Sequence, residues 1–290
     1  YVAGGHLTDT PIKNVYSGVV SLKGLKTIIF LGELNGMEAW GTDISNAYLN
    51  AETSEKVVIV GGGEFKRFGL DGYLLRIDKA LYGLKSSGKR FNELLGECLR
   101  FIGFQRTGCE DDIWYRKCPT AEVYEYIGTY VDDLCIVMKD PESFIAILEG
   151  PKFKFTLKGT GPLSFHLGCG FVRDSTGTLC MDAGRYVMKM AESYKQIFNC
   201  SPPHSNVSSP LPKGDHPELD TSSFLDDDKA QIYQSLVGSM QWAVTIGRYD
   251  IQCAVMTLSR FRAMPRQGHS ERVQGVYGYL LKFKNFMIRF

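Results

Sequence analysis

Tyr130-Val131-Asp132-Asp133 sets two adjacent carboxylates between two apolar, β-rich runs, 123–130 and 134–138. That pattern predicts a hairpin with acids at its tip. Neighbours in a regular strand point to opposite faces, so only a tip lets both acids reach one site. Their mutual repulsion costs free energy, which a divalent cation offsets. By itself, an ordinary Asp-rich turn accounts for the tetrapeptide equally well. A second segment, Gly41-Thr42-Asp43-Ile44-Ser45-Asn46-Ala47-Tyr48-Leu49, carries a carboxylate at the end of a short strand. An aromatic follows five residues later on a helical turn; an Asp N-cap over a buried Tyr explains that spacing as well. A third, Lys79-Ala80-Leu81-Tyr82-Gly83-Leu84-Lys85-Ser86-Ser87-Gly88, leads into an amphipathic stretch, and alone it reads as a loop and a helix cap.

The elements that must position these residues follow from periodicity. Phe91, Leu94, Leu95, Cys98, Leu99 and Ile102 recur at three- and four-residue steps, which predicts a helix over 88–102. Gly103 ends it. A helix is expected over 22–34, a strand over 39–42 running into Asp43, and a helical turn over 45–49. Further strands are expected at 56–60, 73–77, 113–116, 123–130, 134–138, 153–157, 165–173, 178–181 and 286–290. Pro141 opens a helix lined by Phe144, Ile145 and Leu148, and another helix spans 186–198. Residues 201–228 are rich in Pro, Ser, His and Asp and form the best internal boundary. Three helical stretches follow, at 230–246, 251–262 and 270–283. The mixture predicts an α+β fold followed by a helical subdomain.

The chain has 290 residues, 44% of them hydrophobic, enough for one large domain or two packed lobes. No apolar run approaches the roughly 20 residues that span a bilayer. Residues 1–10 lack the charged and apolar regions of a signal peptide. Eight Cys are scattered without C-x-x-C or zinc-like spacing, which points to a reducing compartment. None of the five His has a metal-ligand partner at a useful spacing, and His269 reads as a helix-start or packing residue. A net charge of +1 argues mildly against a nucleic-acid partner. That average hides six acids and no Lys or Arg in 214–228, and an excess of +6 in 230–290. The C-terminal quarter could track phosphates, or could present a solvated helix face.

In this order and at these separations, the three segments resemble reverse transcriptases of the copia (Ty1/copia) retrotransposon group. Asp43 to Tyr48 matches that group's first carboxylate motif. Leu81-Tyr82-Gly83-Leu84 matches its Leu-Tyr-Gly-Leu segment, and Tyr130 to Asp133 its Tyr-x-Asp-Asp hairpin. Tyr233, 236–240, 248–251, Ala254-Val255, 258–260, Pro265, His269 and Tyr279-Leu280 look like the helical region after the palm. The likeness covers nearly the whole chain.

The resemblance implies a right-hand polymerase. Truncated fingers and a palm with an antiparallel sheet would occupy 1–200, an acidic Pro-rich linker 201–228, and a helical thumb-like region 229–290. The implied reaction is RNA-directed DNA synthesis, with a primer 3′-hydroxyl attacking the α-phosphate of a dNTP. Two Mg²⁺ ions, or Mn²⁺ in their place, would bind Asp43 and Asp132 as principal ligands and Asp133 as the weaker one. The Ile44 carbonyl would complete one metal shell. Tyr48 would be a steric gate against a 2′-hydroxyl, or else a core tyrosine. Lys85, Ser86 and Ser87 would lie near the templating pair. Tyr130 and Val131 would contact template or primer, and Leu167 and Gly168 would form a primer-holding hairpin. Lys158 would donate a proton to pyrophosphate, or else be a surface lysine. The implied partners are an RNA or DNA template-primer and dNTP, within a Gag-Pol-type polyprotein with integrase and RNase H. The implied location is intracellular, in a cytoplasmic virus-like particle or the nucleus, and not a membrane.

Four features depart from the group. Its basic fingers residues, which grip the triphosphate, are expected before Tyr1, and no RNase H carboxylate set lies within the chain. Weak or absent activity is therefore expected of these 290 residues alone. Lys85-Ser86-Ser87-Gly88 stands where many relatives have Gln-Ala-Pro after the lysine, and Tyr249 where Pro is common. Two other readings stay open: a non-catalytic, nucleic-acid-binding remnant of a mobile element, and an Mg²⁺-dependent phosphohydrolase using Asp43 and Asp132.

Overall fold

A computed structural model describes residues 2–8, 15–204 and 207–290. They divide into two compact units, 1–163 and 164–290.

The first unit opens with α1 (Leu22–Leu34), whose Ser21 cap accepts a hydrogen bond from the Gly24 N–H at 2.9 Å. β1 (Glu38–Ile44) and the short α2 (Ala47–Asn50) follow. A two-stranded hairpin of β2 (Val58–Val60) and β3 (Leu74–Arg76) then precedes α3 (Ser87–Phe101). β4 (Gln105–Arg106), β5 (Ile113–Lys117), β6 (Tyr124–Tyr130) and β7 (Asp133–Met138) form a meander. α4 (Pro141–Glu149), with proline in its first turn, leads to β8 (Leu157–Pro162). The main sheet runs β4-β5-β6-β7-β1-β8 with every neighbouring pair antiparallel.

Alternation along β7 sends Leu134, Ile136 and Met138 into a core closed by Phe91, Leu95 and Leu99 of α3 and Phe144 and Leu148 of α4. Cys135 and Val137 are equally buried on the opposite face. α1 covers that face with Leu25, Ile28 and Ile29. The approach is close because β6 carries Gly128: a Cβ there would sit 3.1 Å from Ile28 Cδ1.

One expectation fails in this unit, and one strand was not expected. The aromatic run 153–157 is not a strand: Phe155 is buried in the core and Phe153 packs against it. The strand is Leu157–Pro162 instead, despite Gly159 and Gly161, because pairing with β1 decides it rather than intrinsic propensity. The two-residue β4 carried no sequence signal.

The second unit holds a four-stranded antiparallel sheet and four helices. β9 (Phe165–His166), β10 (Cys169–Arg173), β11 (Leu179–Asp182) and β12 (Met287–Arg289) stand in the order β12-β11-β10-β9. The single strand expected over 165–173 is broken in two. Leu167 (φ 48°) and Gly168 (φ 83°) turn the chain sharply between β9 and β10. α5 (Gly184–Phe198), α6 (Asp227–Thr245), α7 (Gln252–Ser259) and α8 (Gln267–Lys282) enclose Tyr194, Tyr233, Val237, Met240, Leu258 and Val276. His269 is buried at the start of α8, where its Nδ1 accepts from the Arg266 N–H at 3.1 Å. Among the described residues no helix is long and apolar enough to cross a membrane.

The described residues of 201–226 lie inside this unit as an irregular strap with a short 3₁₀ turn, Pro217–Leu219, and Asp227 and Asp228 already open α6. Arg272 of α8 fastens it, donating to Asp215 and Asp220 at 2.8 and 2.7 Å. The Ser222 hydroxyl and then Arg272 hold the Asp220 carboxyl down to about 2. Several C-terminal cations are thus structural. Arg248 is fully buried against Asp250, Arg289 pairs with Asp174, and Lys282 donates to the Val207 carbonyl. Arg260, Arg262 and Lys284 are exposed, so part of the basic excess over 230–290 stays at the surface.

His166 is buried, and desolvation pulls its pKa from 6.5 to about 4. The unfolded chain then binds the extra proton between those values, so stability falls on acidification from pH 6.5 towards 4. The expected slope is about 1 kcal/mol per pH unit. Urea midpoints measured across that range check it, and His166→Leu should flatten the slope.

Candidate active site

The pairing of β1 with β7 places Asp43 directly opposite Asp133. Cross-strand partners share a face, so these two side chains emerge side by side. Asp132 sits in the two-residue turn between β6 and β7, closed by the Tyr130–Asp133 pair. The hairpin tip inferred from the sequence is therefore present. The turn residue Val131 has a φ of 56°, an uncommon conformation for a β-branched residue. The turn is tied across the sheet as well, since Ile44 N–H donates to the Asp132 carbonyl at 2.8 Å. The Ile44 side chain is fully buried, which fixes the end of β1 beneath the acids.

Thr129, the last residue of β6 before Tyr130, is held from below. Its N–H donates to the Asp112 carbonyl at 2.9 Å, and its hydroxyl reaches Asp112 too. Asp112 is itself buried and accepts from Asn92 of α3 at 3.2 Å. Burial raises its pKa, against these hydrogen bonds.

All three aspartates are half-buried. Burial raises the pKa of Asp43, the Asp132 charge adds to it, and Lys158 opposes it. For Asp133 burial again comes first, then the charges of Asp132 and Asp43. Lys158 on β8 is the strand partner of Asp43 on the side away from Asp133. The sequence suggested it only by resemblance; the β1–β8 register brings it to the acids.

Tyr48 and Tyr82 flank this cluster. Their ring centroids lie 4.6 Å apart, and Tyr48 also meets Phe91 at 6.3 Å. Burial and then the Asp132 charge raise the pKa of both phenols. Tyr48 packs against the core from α2, while Tyr82 stays on the surface. The sequence singled out Tyr48 and gave Tyr82 no role, because a stacking partner 34 positions away leaves no periodic signal.

The loop carrying Tyr82 is braced by the N-terminal segment. Ala3 N–H donates to the Tyr82 carbonyl at 2.7 Å. Gly83 (φ 97°) allows this approach, since a Cβ there would overlap the Ala3 carbonyl oxygen. Lys85 Nζ donates to the Thr8 carbonyl at 2.7 Å. Ser86 donates its N–H to Glu55 at 2.8 Å, and Ser87 its hydroxyl to the Leu81 carbonyl at 2.7 Å. Both serines are buried, so their side chains shape the loop rather than face outward. Tyr130 is exposed beside the tip. Leu167 and Gly168 belong to the second unit, at the turn described above.

The donor set suits a hard divalent cation: carboxylate oxygens only, half-buried and mutually repelling. Among the described residues no three His, Cys, Asp or Glu side chains are gathered into a closed metal cage. Mg²⁺ does not require one, because it keeps waters and binds through one or two carboxylates plus substrate phosphates.

Comparison with known proteins agrees with this geometry. Residues 2–205 match the family model described as reverse transcriptase (RNA-dependent DNA polymerase). The chain is 26% identical over 249 residues to a putative transposon Ty5-1 protein of Saccharomyces cerevisiae, covering 86% of this chain and 78% of that protein. It is 27% identical over 274 residues to the retrovirus-related Pol polyprotein from transposon TNT 1-94 of Nicotiana tabacum. That match covers 92% of this chain but 20% of the polyprotein. The Pol polyprotein from transposon RE1 of Arabidopsis thaliana is 28% identical, with 82% of this chain and 16% of that protein covered.

Replacing Lys158 by Met removes a cation that opposes the rise in the Asp43 pKa. The Asp43 carboxyl should then titrate at a higher pH, and Asp133, which is governed by burial and by the charges of Asp132 and Asp43, should move less. Carbon-detected NMR titration of the carboxyl groups reads both shifts.

Proposed function

This chain belongs to the reverse transcriptase (RNA-dependent DNA polymerase) family, and on that premise we propose that its Asp43, Asp132 and Asp133 cluster extends a DNA primer on an RNA or DNA template. The observation that carries the reading is the Asp43–Asp133 strand pairing with Asp132 at the adjoining tip. Like charges opposite one another weaken a sheet, and a nucleotidyl-transfer site is a reason to keep them there.

Asp43 and Asp132 would hold Mg²⁺ as the principal ligands, with Asp133 beside them and Mn²⁺ as a substitute. Bound there, the metal supplies a lowered pKa for the primer 3′-hydroxyl and a counter-charge for the triphosphate. The rest falls to the chain. The three carboxylates set the position of the cluster, fixed by Ile44 beneath and the Val131 turn above. The ring of Tyr48, backed by Tyr82, would exclude a 2′-hydroxyl and so favour dNTP. Lys158, beside Asp43, would neutralise or protonate departing pyrophosphate. Ser86 and Ser87 would position the Tyr82 loop, and Lys85 and Tyr130 would border the template-primer. Leu167-Gly168 is the candidate primer-holding turn. In this reading the first unit holds the palm with part of the fingers, and the helices α6 to α8 form the thumb-like region. The likeness to TNT 1-94 and RE1 suggests a segment of a longer Pol polyprotein, which would also supply integrase and RNase H.

Primer extension with Mg²⁺ tests the proposal. Asp132→Asn should reduce template-directed synthesis by roughly two orders of magnitude or more. Unchanged synthesis in that variant would refute the assignment. Tyr48→Val should raise ribonucleotide incorporation relative to dNTP; a Tyr that serves only the core would lower stability and leave the ratio alone. Burial and the neighbouring charges raise the Asp43 and Asp133 carboxyls, so protons compete there with a divalent cation as pH falls. The Mg²⁺ concentration needed for half-maximal extension should accordingly rise on acidification.

A further inference from the structure

Asp112 is a buried carboxylate outside the acid cluster, and it sits where the hairpin of β6 and β7 loses its outer neighbour. β5 begins at Ile113, whose partner on β6 is Gly128. Beyond that pair the chain from Thr129 to the Asp132 turn overhangs the sheet on that flank. On the inner flank the tip is tied to β1 through the Ile44 N–H. On the outer flank Thr129 makes the attachment. Its N–H donates to the Asp112 carbonyl at 2.9 Å, and its carbonyl accepts from the Val20 N–H at 2.8 Å.

The Asp112 side chain adds a second hold to this backbone bond. The Thr129 hydroxyl reaches its Oδ1 at 3.4 Å, and Asn92 Nδ2 of α3 donates to the same oxygen at 3.2 Å. Asn92 is oriented in turn, because its Oδ1 accepts from Arg106 Nη2 at 2.7 Å. Arg106 lies over the ring of Trp114 at 4.8 Å, and that ring is buried in the core. Donors therefore run one way along this row, from a guanidinium anchored on the core to a carboxylate that accepts. The other carboxylate oxygen faces Gly18, where a Cβ would overlap it. Gly18 is not among the glycines with positive φ, so here the missing side chain serves space and not a turn.

We propose that the Asp112 side chain is a positioning residue for the acid cluster: held between α3 and Gly18, it fixes the end of β6 and so the separation of Asp132 from Asp43. It acts through Thr129 and the Val131 turn. A metal-binding set of carboxylates gains from such an outer hold, because the ion then finds its ligands already spaced. The consequence for catalysis rests on the polymerase reading; the hold on the tip rests on the geometry alone.

Hydrogen exchange in the metal-free 290-residue chain reads that hold. Asp112→Ala should speed exchange at Thr129 and Asp133 by about tenfold and leave the buried middle of β7 unchanged. Mn²⁺ titration followed by EPR, without primer or dNTP, should show an affinity about tenfold weaker. Gly18→Ala should shift both in the same direction, since it displaces the carboxylate while removing no polar group. Asp112→Asn keeps an oxygen for Asn92 and Thr129 and should lie within about twofold of the parent in both. A side chain that served stability alone would lower the thermal midpoint on Asp112→Ala and leave the Mn²⁺ affinity of the folded chain unchanged; that outcome overturns the proposal. Should Asp112→Ala fail to fold, Gly18→Ala and Thr129→Val decide, and parental exchange and affinity in both overturn it as well. In primer extension, kcat of Asp112→Ala should fall about tenfold while KM for dNTP stays within about twofold. Altered tip exchange and Mn²⁺ affinity in a chain that extends no primer sustain the positioning role and remove the polymerase reading. Extension by Asp112→Ala at the parental kcat does the reverse.

Discussion

Asp43 and Asp133 face each other across adjacent antiparallel strands, and sheet energetics work against that placement. Opposed like charges weaken the pairing by a few tenths to about 1 kcal/mol. The Val131 turn adds strain of order 1–3 kcal/mol, since a β-branched residue sits at positive φ there. Shifting the register by one residue would part the acids, but it would also turn Leu134, Ile136 and Met138 out of the core. Each buried aliphatic side chain is worth about 1.5–3 kcal/mol, so the core outweighs the repulsion. The hydrophobic pattern of β7 is thus what holds the acids in opposition, and α3, α4 and α1 serve it by covering both faces.

Local chemistry made part of this arrangement legible in the sequence. The tip at 130–133 could be read because its acids interrupt two β-rich runs, and α3 because its apolar residues keep helical spacing. Lys158 and Tyr82 could not be placed in the same way. Lys158 meets Asp43 through a strand containing two glycines, whose pairing is decided 115 residues away. Tyr82 meets Tyr48 because the intervening residues, 52–79, close on themselves, with Glu52 bridging Lys79. The break at Leu167-Gly168 entered only through the resemblance, which put a hairpin there, while the strand reading ran straight through 165–173.

The cations of the second unit show how charge counts mislead. The excess over 230–290 looked like a surface for phosphates. Arg272 spends its guanidinium on two strap carboxylates, Arg248 is fully buried beside Asp250, and Arg289 reaches Asp174. The acidic run at 214–228 is in part the complement of that basic excess, folded against it. Arg272 ties the two biases together through Asp215 and Asp220, while Arg248 and Arg289 find their carboxylates elsewhere.

The hairpin of β2 and β3 bears on how this chain can diverge. Its ends are held together, Glu52 bridging Lys79 and Thr53 N–H donating to the Asp78 carbonyl at 3.0 Å. A segment so closed transmits little of its own length to the body that carries it. Lengthening such a loop costs only about 0.6 kcal/mol per doubling. Glu55 must stay, since it accepts from Ser86 beside the Tyr82 loop. Residues between Lys56 and Arg76 can be inserted, lost or exchanged without moving Tyr48, Tyr82 or the acids beside them.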